Sequence, residues 1–332
     1  MRQERILVTG ATGFVGRHLV EHFRSAGRLL TLAVRNVDAC PPSWQADGRV
    51  RIVATGPIET AANLGEALAG VATVVHLAGL AHVRGSGRGD DSFVAANATA
   101  TERLAEASAD GGTGSFIHLS SLAAITRNAS PSVIDDTTCD PAPTPYGRSK
   151  REAEKHVLAL AEHGLFAVSL RPPLVVGAEA KGNWGALQRL AATGLPLPFA
   201  SVRNRRSLIG IRTLVEALDR LCTDSWPPDK SGNYCLADAE SLSLPAIVTE
   251  LRRGMGLPSR LFPCPPGVLK ALAAAANRQQ MAAGLLGDLR VDAGRFQATF
   301  DFTPTQDLAA SIVQSGMCYR RLASAGPTGN VE

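Results

Sequence analysis

The chain has 332 residues, 45% apolar and 19% charged, which suits a folded globular protein with a large core and room for a second lobe. A net charge of +4 without a long basic run argues against a nucleic-acid partner, although Arg203, Arg205 and Arg206 form a local cluster. Six cysteines, at 40, 139, 222, 235, 264 and 318, have no metal spacing and read as free thiols of a reducing, cytoplasmic setting.

Arg5 to Thr9 is a short apolar β-prone run; glycines follow at 10, 13 and 16, and Arg17 to Phe23 then takes up helical period. Strand, glycine turn and helix is the order a dinucleotide site requires. Gly10 allows a tight turn, Gly13 lets backbone approach a pyrophosphate, and Gly16 lets the helix pack closely on the strand. The N–H groups at the helix start then face the anion. A second strand, Leu29 to Val34, closes the unit and ends in Arg35-Asn36. An NAD enzyme often carries Asp or Glu there for the ribose hydroxyls, whereas a cation suits a 2′-phosphate or stacks on adenine. The cofactor is therefore NADP or NAD, with a lean to NADP, and Asp38 could still reach a ribose.

Strand-like runs continue at Val50 to Ala54, Thr73 to Leu77, Ser115 to Leu119 and Ala167 to Arg171, alternating with helical stretches. The alternation predicts an α/β, Rossmann-type doubly wound parallel sheet with helices on both faces and ligands beyond the carboxyl ends of its strands. From about Val175 prolines, glycines and shorter segments take over. Residues 1–175 read as the dinucleotide-binding domain, 176–325 as a smaller substrate-binding lobe without a clean break, and 326–332 as a tail. The glycine-rich loop Arg84 to Gly89 is expected near the site mouth. The N-terminus enters its strand almost at once, leaving no signal peptide. The most lipid-like stretch, Val268 to Leu289, contains Lys270, Arg278 and Asp288 and is too polar to span a bilayer. A surface amphipathic helix packed on its own lobe is the expectation there.

In Pro145-Tyr146-Gly147-Arg148-Ser149-Lys150 a spacing of four puts phenol and ammonium on one helix face. A tyrosine titrates near 10, and a fixed ammonium beside it favours the phenolate, so the pair is an acid–base device.

Taken together, Thr9-Gly10-Ala11-Thr12-Gly13-Phe14-Val15-Gly16 and Tyr146-Gly147-Arg148-Ser149-Lys150 resemble the extended short-chain dehydrogenase/reductases, the family of nucleotide-sugar epimerases, dehydratases and ketoreductases. His76-Leu77-Ala78-Gly79, Asn97 opening a helix, Ser120-Ser121 and Arg171-Pro172-Pro173 follow in family order. The resemblance implies Ser121, Tyr146 and Lys150 as catalytic residues. It places Gly10, Thr12, Gly13, Phe14, Val15, Gly16, Arg35, Leu77, Ala78, Gly79, Asn97 and Pro172 at the cofactor, together with Tyr146 and Lys150. Asn97 could equally be a plain structural asparagine. Ser120 alternates to the other side of its strand end and is the weaker candidate for the serine role.

Two departures from the family pattern matter. The Asp common after the third strand is absent from Thr55-Gly56-Pro57-Ile58, and Leu122-Ala123 replace the acidic pair of sugar 4,6-dehydratases, which disfavours dehydration. On the substrate side the resemblance implies a UDP-sugar held by Ala81, His82, Ser121, Asn183, Phe199 and Arg206, with the Arg206 guanidinium as a diphosphate clamp. Neither His76 nor His82 is given a catalytic role. Asn204-Arg205-Arg206-Ser207-Leu208 resembles a stretch of UDP-N-acetylquinovosamine-forming reductases, so the implied activity is 4-ketoreduction of a UDP-4-keto-6-deoxy-N-acetylhexosamine. The alternatives are a UDP-glucose or UDP-N-acetylglucosamine 4-epimerase and a non-catalytic nucleotide-binding scaffold. By analogy with the family, a homodimer forms through the Tyr–Lys helix.

Overall fold

The computed structural model describes residues 4–81, 90–140, 144–275 and 279–324. The loop Arg84 to Gly89, His82 and the tail 326–332 therefore lie outside the described residues.

Seven parallel strands form one sheet: β1 Arg5–Thr9, β2 Leu29–Val34, β3 Val50–Ala54, β4 Val71–His76, β5 Ser115–Leu119, β6 Phe166–Arg171 and β7 Gly232–Cys235. Their spatial order is β7-β6-β5-β4-β1-β2-β3, so the chain winds outward from β1 first in one direction and then in the other. That reversal opens a crevice at the carboxyl ends of β1 and β4. The central strands read as nearly unbroken apolar runs because both faces are covered. On one face the helices Phe14–Ser25 and Ile211–Thr223 pack with Phe296 and Phe300 against Ile6, Leu30 and Val168. On the other, the helices Leu64–Leu68 and Ala100–Asp110, with Val157, cover Leu7, Val74 and Phe116.

The seventh strand is not among the runs the sequence pattern marks. Gly232 and Asn233 break the apolar alternation, and the strand is short because it borders the sheet, pairing only with β6. Through it and the helix Ile211–Thr223, chain beyond residue 175 returns to the dinucleotide-binding half.

The second lobe has its own core of Val176, Trp184, Leu208, Ile247, Leu251 and Ile312, supplied by the helices Gly182–Ala192, Leu244–Gly254 and Leu308–Ser324. The last two interlock through glycines. A Cβ on Gly254 would collide with the Val313 carbonyl, and one on Gly316 with the Leu251 carbonyl, so backbone meets backbone. The lipid-like stretch differs from expectation: it is two helices, Pro266–Ala275 and Gln279–Leu286, and no residue of the first is buried. Only its inner edge, at Leu269, packs on the lobe core.

Candidate active site

Beyond β1 the chain turns at Gly10, whose φ of +67° suits glycine. A Cβ there would lie 2.7 Å from the Ala78 nitrogen, so the turns after β1 and β4 touch. At Gly16 a Cβ would strike the Gly10 carbonyl, which is why the helix lies directly on its strand. Gly13 caps that helix with extended backbone, no side-chain cap and no acidic residue in the first turn, leaving the leading N–H groups for an anion. A cavity of ≈ 400 Å³ opens there, lined by Gly10, Thr12, Gly13, Arg35, Leu77, Ala78 and Gly79, with Thr55, Gly56 and Ile58 where the family Asp is missing. A nucleotide pyrophosphate fits this cradle: uncapped donors, glycines that admit backbone, and a cation at the far rim. Phe14, Val15 and Gly16 do not line it. Val15 packs into the core, and Phe14 rests on Gly177, where a Cβ would come within 2.6 Å of its ring. Neither this cavity nor a larger one, ≈ 680 Å³, bounded by His22, Gly177, Glu216 and Cys318, is lined by Ser121, Tyr146 or Lys150.

Asn97 does not open a helix; it sits inside one, in a π-helical turn spanning Val94–Thr99 that continues into Ala100–Asp110. Fully buried, it accepts from the Leu80 N–H at 2.7 Å and donates to the Leu80 carbonyl at 3.0 Å and to Ser149 Oγ at 2.9 Å. The wide turn lets one side chain tie the loop after β4 to the Tyr–Lys helix. Gly79 lies between them, since a Cβ there would be 2.9 Å from Asn97 Oδ1 and 3.2 Å from Lys150 Nζ. Ala81 is exposed at the end of this loop.

The Tyr–Lys helix, Pro145–Ala159, starts with Thr144 as cap, its hydroxyl accepting from the Gly147 N–H at 3.0 Å, and with Pro145 in the first turn. A Cβ on Gly147 would collide with the Ala123 carbonyl, so this glycine lets the helix press against Ser121–Ala124. The close approach brings Tyr146 into hydrogen bonding with Ser121. Ser121 itself accepts from the Ala123 N–H at 3.2 Å. Its neighbour Ser120 faces away and donates to Glu154 at 2.6 Å. The Pro172 carbonyl braces the same segment by accepting from the Leu122 N–H at 3.1 Å, so Pro172 acts on the serine turn.

Lys150 is buried, and its ammonium donates to the Leu119 carbonyl at 2.8 Å and to His118 Nε2 at 3.3 Å. An ammonium can only donate, so His118 keeps its proton on Nδ1, facing Ser169 Oγ at 3.0 Å. Burial and the nearby lysine hold His118 well below its usual range, and they bring His76, stacked on it, to about 3. Both imidazoles are neutral and structural. Burial lowers Lys150 to about 8, against a smaller opposing pull from Glu154. The sequence reading expected this ammonium to lower the tyrosine. Instead burial raises Tyr146, and the opposing pull is its hydrogen bond with Ser121, while Lys150 turns two of its three donors to Leu119 and His118.

In the second lobe Arg206 is buried and donates to the Asn128 carbonyl at 3.2 Å and the Gly287 carbonyl at 2.9 Å. It has no salt bridge among the described residues, and burial brings it down to about 10. The contact with Asn128 reaches the segment that follows Ser121. Asn204 anchors the turn, accepting from the Leu244 N–H at 2.9 Å and donating to the Leu285 carbonyl at 2.9 Å. Phe199 is half-buried against the lobe core, and Asn183 is exposed in the first turn of its helix. Sequence reasoning missed His118 and the buried pair Glu154–Arg171, at 2.7 Å, behind the serine. A histidine inside a strand and three residues before Ser121 was the available signal.

A glycine cradle for a dinucleotide next to a serine–tyrosine–lysine group defines an extended short-chain dehydrogenase/reductase. Residues 6–234 match the NAD dependent epimerase/dehydratase family, and the chain belongs to it. It is 30% identical over 95% of both chains to the UDP-glucose 4-epimerase of Vibrio cholerae. It is 30% identical to the ceramide reductase of Caulobacter vibrioides, covering 80% of this chain and 75% of that one. The fold is shared with a UDP-glucuronic acid 4-epimerase from Bacillus cereus solved with NAD, at a TM-score of 0.75 and 17% identity over 98% and 99% of the two chains. The protein is thus a nicotinamide-dinucleotide-dependent enzyme, and Gly10 to Gly13 with the uncapped helix start would hold the dinucleotide.

Proposed function

We propose that the protein is an NADPH-preferring nucleotide-sugar 4-ketoreductase, acting on a UDP-4-keto-6-deoxy-N-acetylhexosamine for surface polysaccharide. The observation that carries this reading is Arg35, exposed on the rim of the dinucleotide cavity with no salt bridge among the described residues. A guanidinium there recognises a 2′-phosphate, the mark of cofactors consumed in reduction.

The bound reduced nicotinamide supplies the hydride to the sugar C4. Tyr146 passes its proton to the O4 that becomes hydroxyl, and a phenol kept neutral by burial is in the right state to give it. Ser121 holds the same oxygen, and Lys150 fixes the ribose beside the tyrosine helix. Arg206 meets the diphosphate, with Asn183, Phe199, Ala81 and His82 around the nucleoside and sugar. The enzyme works in the cytoplasm as a homodimer paired through the Pro145–Ala159 helix.

A UDP-sugar 4-epimerase is the second reading, favoured by the Vibrio cholerae relative, which matches 95% of both chains. Purified protein incubated with NADPH or NADH and UDP-4-keto sugars separates the two. Stoichiometric loss of reduced cofactor supports the reductase. Interconversion of UDP-glucose and UDP-galactose without net cofactor loss sinks it, and cofactor binding without turnover of any of these sugars points to a scaffold.

A further inference from the structure

Between Glu250 and Asp288 the sequence contains no acidic residue, while Arg252, Arg253, Arg260, Lys270 and Arg278 all fall there. Two of these cations are accounted for. Arg252 is buried on the carbonyls of Ala191, Leu195 and Ser259, and Arg253 pairs with Glu250. Lys270 has no partner among the described residues, and Arg260 makes only a 3.5 Å contact to the Gly194 carbonyl.

The same stretch exposes its largest apolar side chains: Leu272 is 62% exposed, Val268 47% and Phe262 46%. Val268 and Leu272, four residues apart, share one side of the helix Pro266–Ala275, with Ala271 and Ala275 beside them and Lys270 beyond. These side chains do not hang on a loose end. The Phe262 N–H donates to the Leu197 carbonyl, its own carbonyl accepts from the Ala200 N–H at 3.1 Å, and Leu269 packs on the lobe core. A fixed apolar stripe in a stretch that carries uncompensated cations and no carboxylate of its own is the charge and shape complement of an anionic lipid surface.

We propose that Phe262, Val268 and Leu272, with Arg260 and Lys270, form a docking face for an anionic membrane, onto which the substrate lobe settles through this helix. Phe262 is bonded to the strip carrying Phe199, and the chain leaving the next helix receives Arg206 at Gly287, so the docked face borders the proposed substrate side. The inference holds whether the enzyme reduces or epimerises.

Full-length protein is co-sedimented with vesicles of phosphatidylcholine alone and of phosphatidylcholine mixed with phosphatidylglycerol, at low and high salt. Binding is expected to the mixed vesicles, weakened by salt, and reduced about 10-fold or more in Val268→Glu/Leu272→Glu and severalfold in Lys270→Glu, with cofactor binding unchanged. Failure to bind the mixed vesicles, equal binding to pure phosphatidylcholine, or undiminished binding by the double variant overturns the proposal. So does a wild-type dimer that becomes monomeric in the double variant without having bound vesicles, which would make this face a contact between two copies.

Discussion

The two halves of the molecule handle buried arginines in opposite ways. In the sheet half, Arg171 meets Glu154 through two hydrogen bonds, at 2.9 and 2.7 Å, and the same carboxylate accepts from Ser120. That charge is neutralised, and the assembly serves as a brace behind Ser121. In the second lobe Arg206 and Arg252 are buried on backbone carbonyls alone. Carbonyl dipoles satisfy donors without cancelling charge, and Arg206 sits lowered to about 10 as a result. The difference separates two uses of a buried arginine: the one in a completed ion pair is scaffold, and the one without a salt bridge is where the proposed function puts the diphosphate.

The comparison can be broken most forcefully at its catalytic edge. Tyr146→Phe is expected to lower turnover by ~10²–10⁴-fold while leaving cofactor affinity within about 2-fold, measured by steady-state kinetics and titration. Near-normal turnover would detach the tyrosine from the chemistry and leave only the scaffold. Next comes the contrast between the two arginines. Glu154→Ala strands Arg171 and should cost roughly 3–5 kcal/mol in denaturant unfolding. Arg206→Met removes a buried charge that has no salt bridge among the described residues and feels only the longer-range pull of Asp288, so it should shift stability by about 1 kcal/mol or less and raise KM for the nucleotide sugar by ~10-fold or more. Equal stability losses in the two variants would erase the distinction drawn above.

Much of this contrast was legible in the chain. Four of the six strands marked by apolar runs have the observed limits, because a sheet covered on both faces needs unbroken apolar strands. The glycine turn and the Tyr146–Lys150 spacing were also readable, since both depend on neighbours in sequence. What was not legible depends on distant partners. Asn97 clamps Leu80 and Ser149 from within a helix, and Arg206 finds its carbonyls at Asn128 and Gly287. The tyrosine was read in the wrong direction because spacing reports a neighbouring charge but not burial, nor that Lys150 is held by Leu119 and His118.

Lys150 sharpens the comparison within the sheet half through pH. Its folded value, about 8, lies below the ordinary lysine value of 10.5, so between these the unfolded chain holds the proton that the folded one has released. Stability contributed by this group therefore rises with pH through that window, while cofactor affinity, on the proposal that the ammonium holds the ribose, is expected to fall above about pH 8. Fluorescence titrations from pH 6 to pH 10 should show the fall in wild type and none in Lys150→Met. The smallest expected effect is at the rim: Arg35→Ser should reduce the preference for NADPH over NADH by about 10-fold, or about 1.4 kcal/mol, in kcat/KM. An unchanged preference would assign that arginine to stacking on adenine.

The glycine-to-backbone contact between the helices Leu244–Gly254 and Leu308–Ser324 bears on how the polypeptide is made. The face of the sheet that needs Ile211–Thr223, Phe296 and Phe300 is covered before the last helix is made, yet the second lobe has no complete core until Ile312 and Gly316 arrive. During translation the cradle around Gly10 can thus form while its neighbour is still open, and termination before the final helix would leave a nucleotide pocket without its companion lobe.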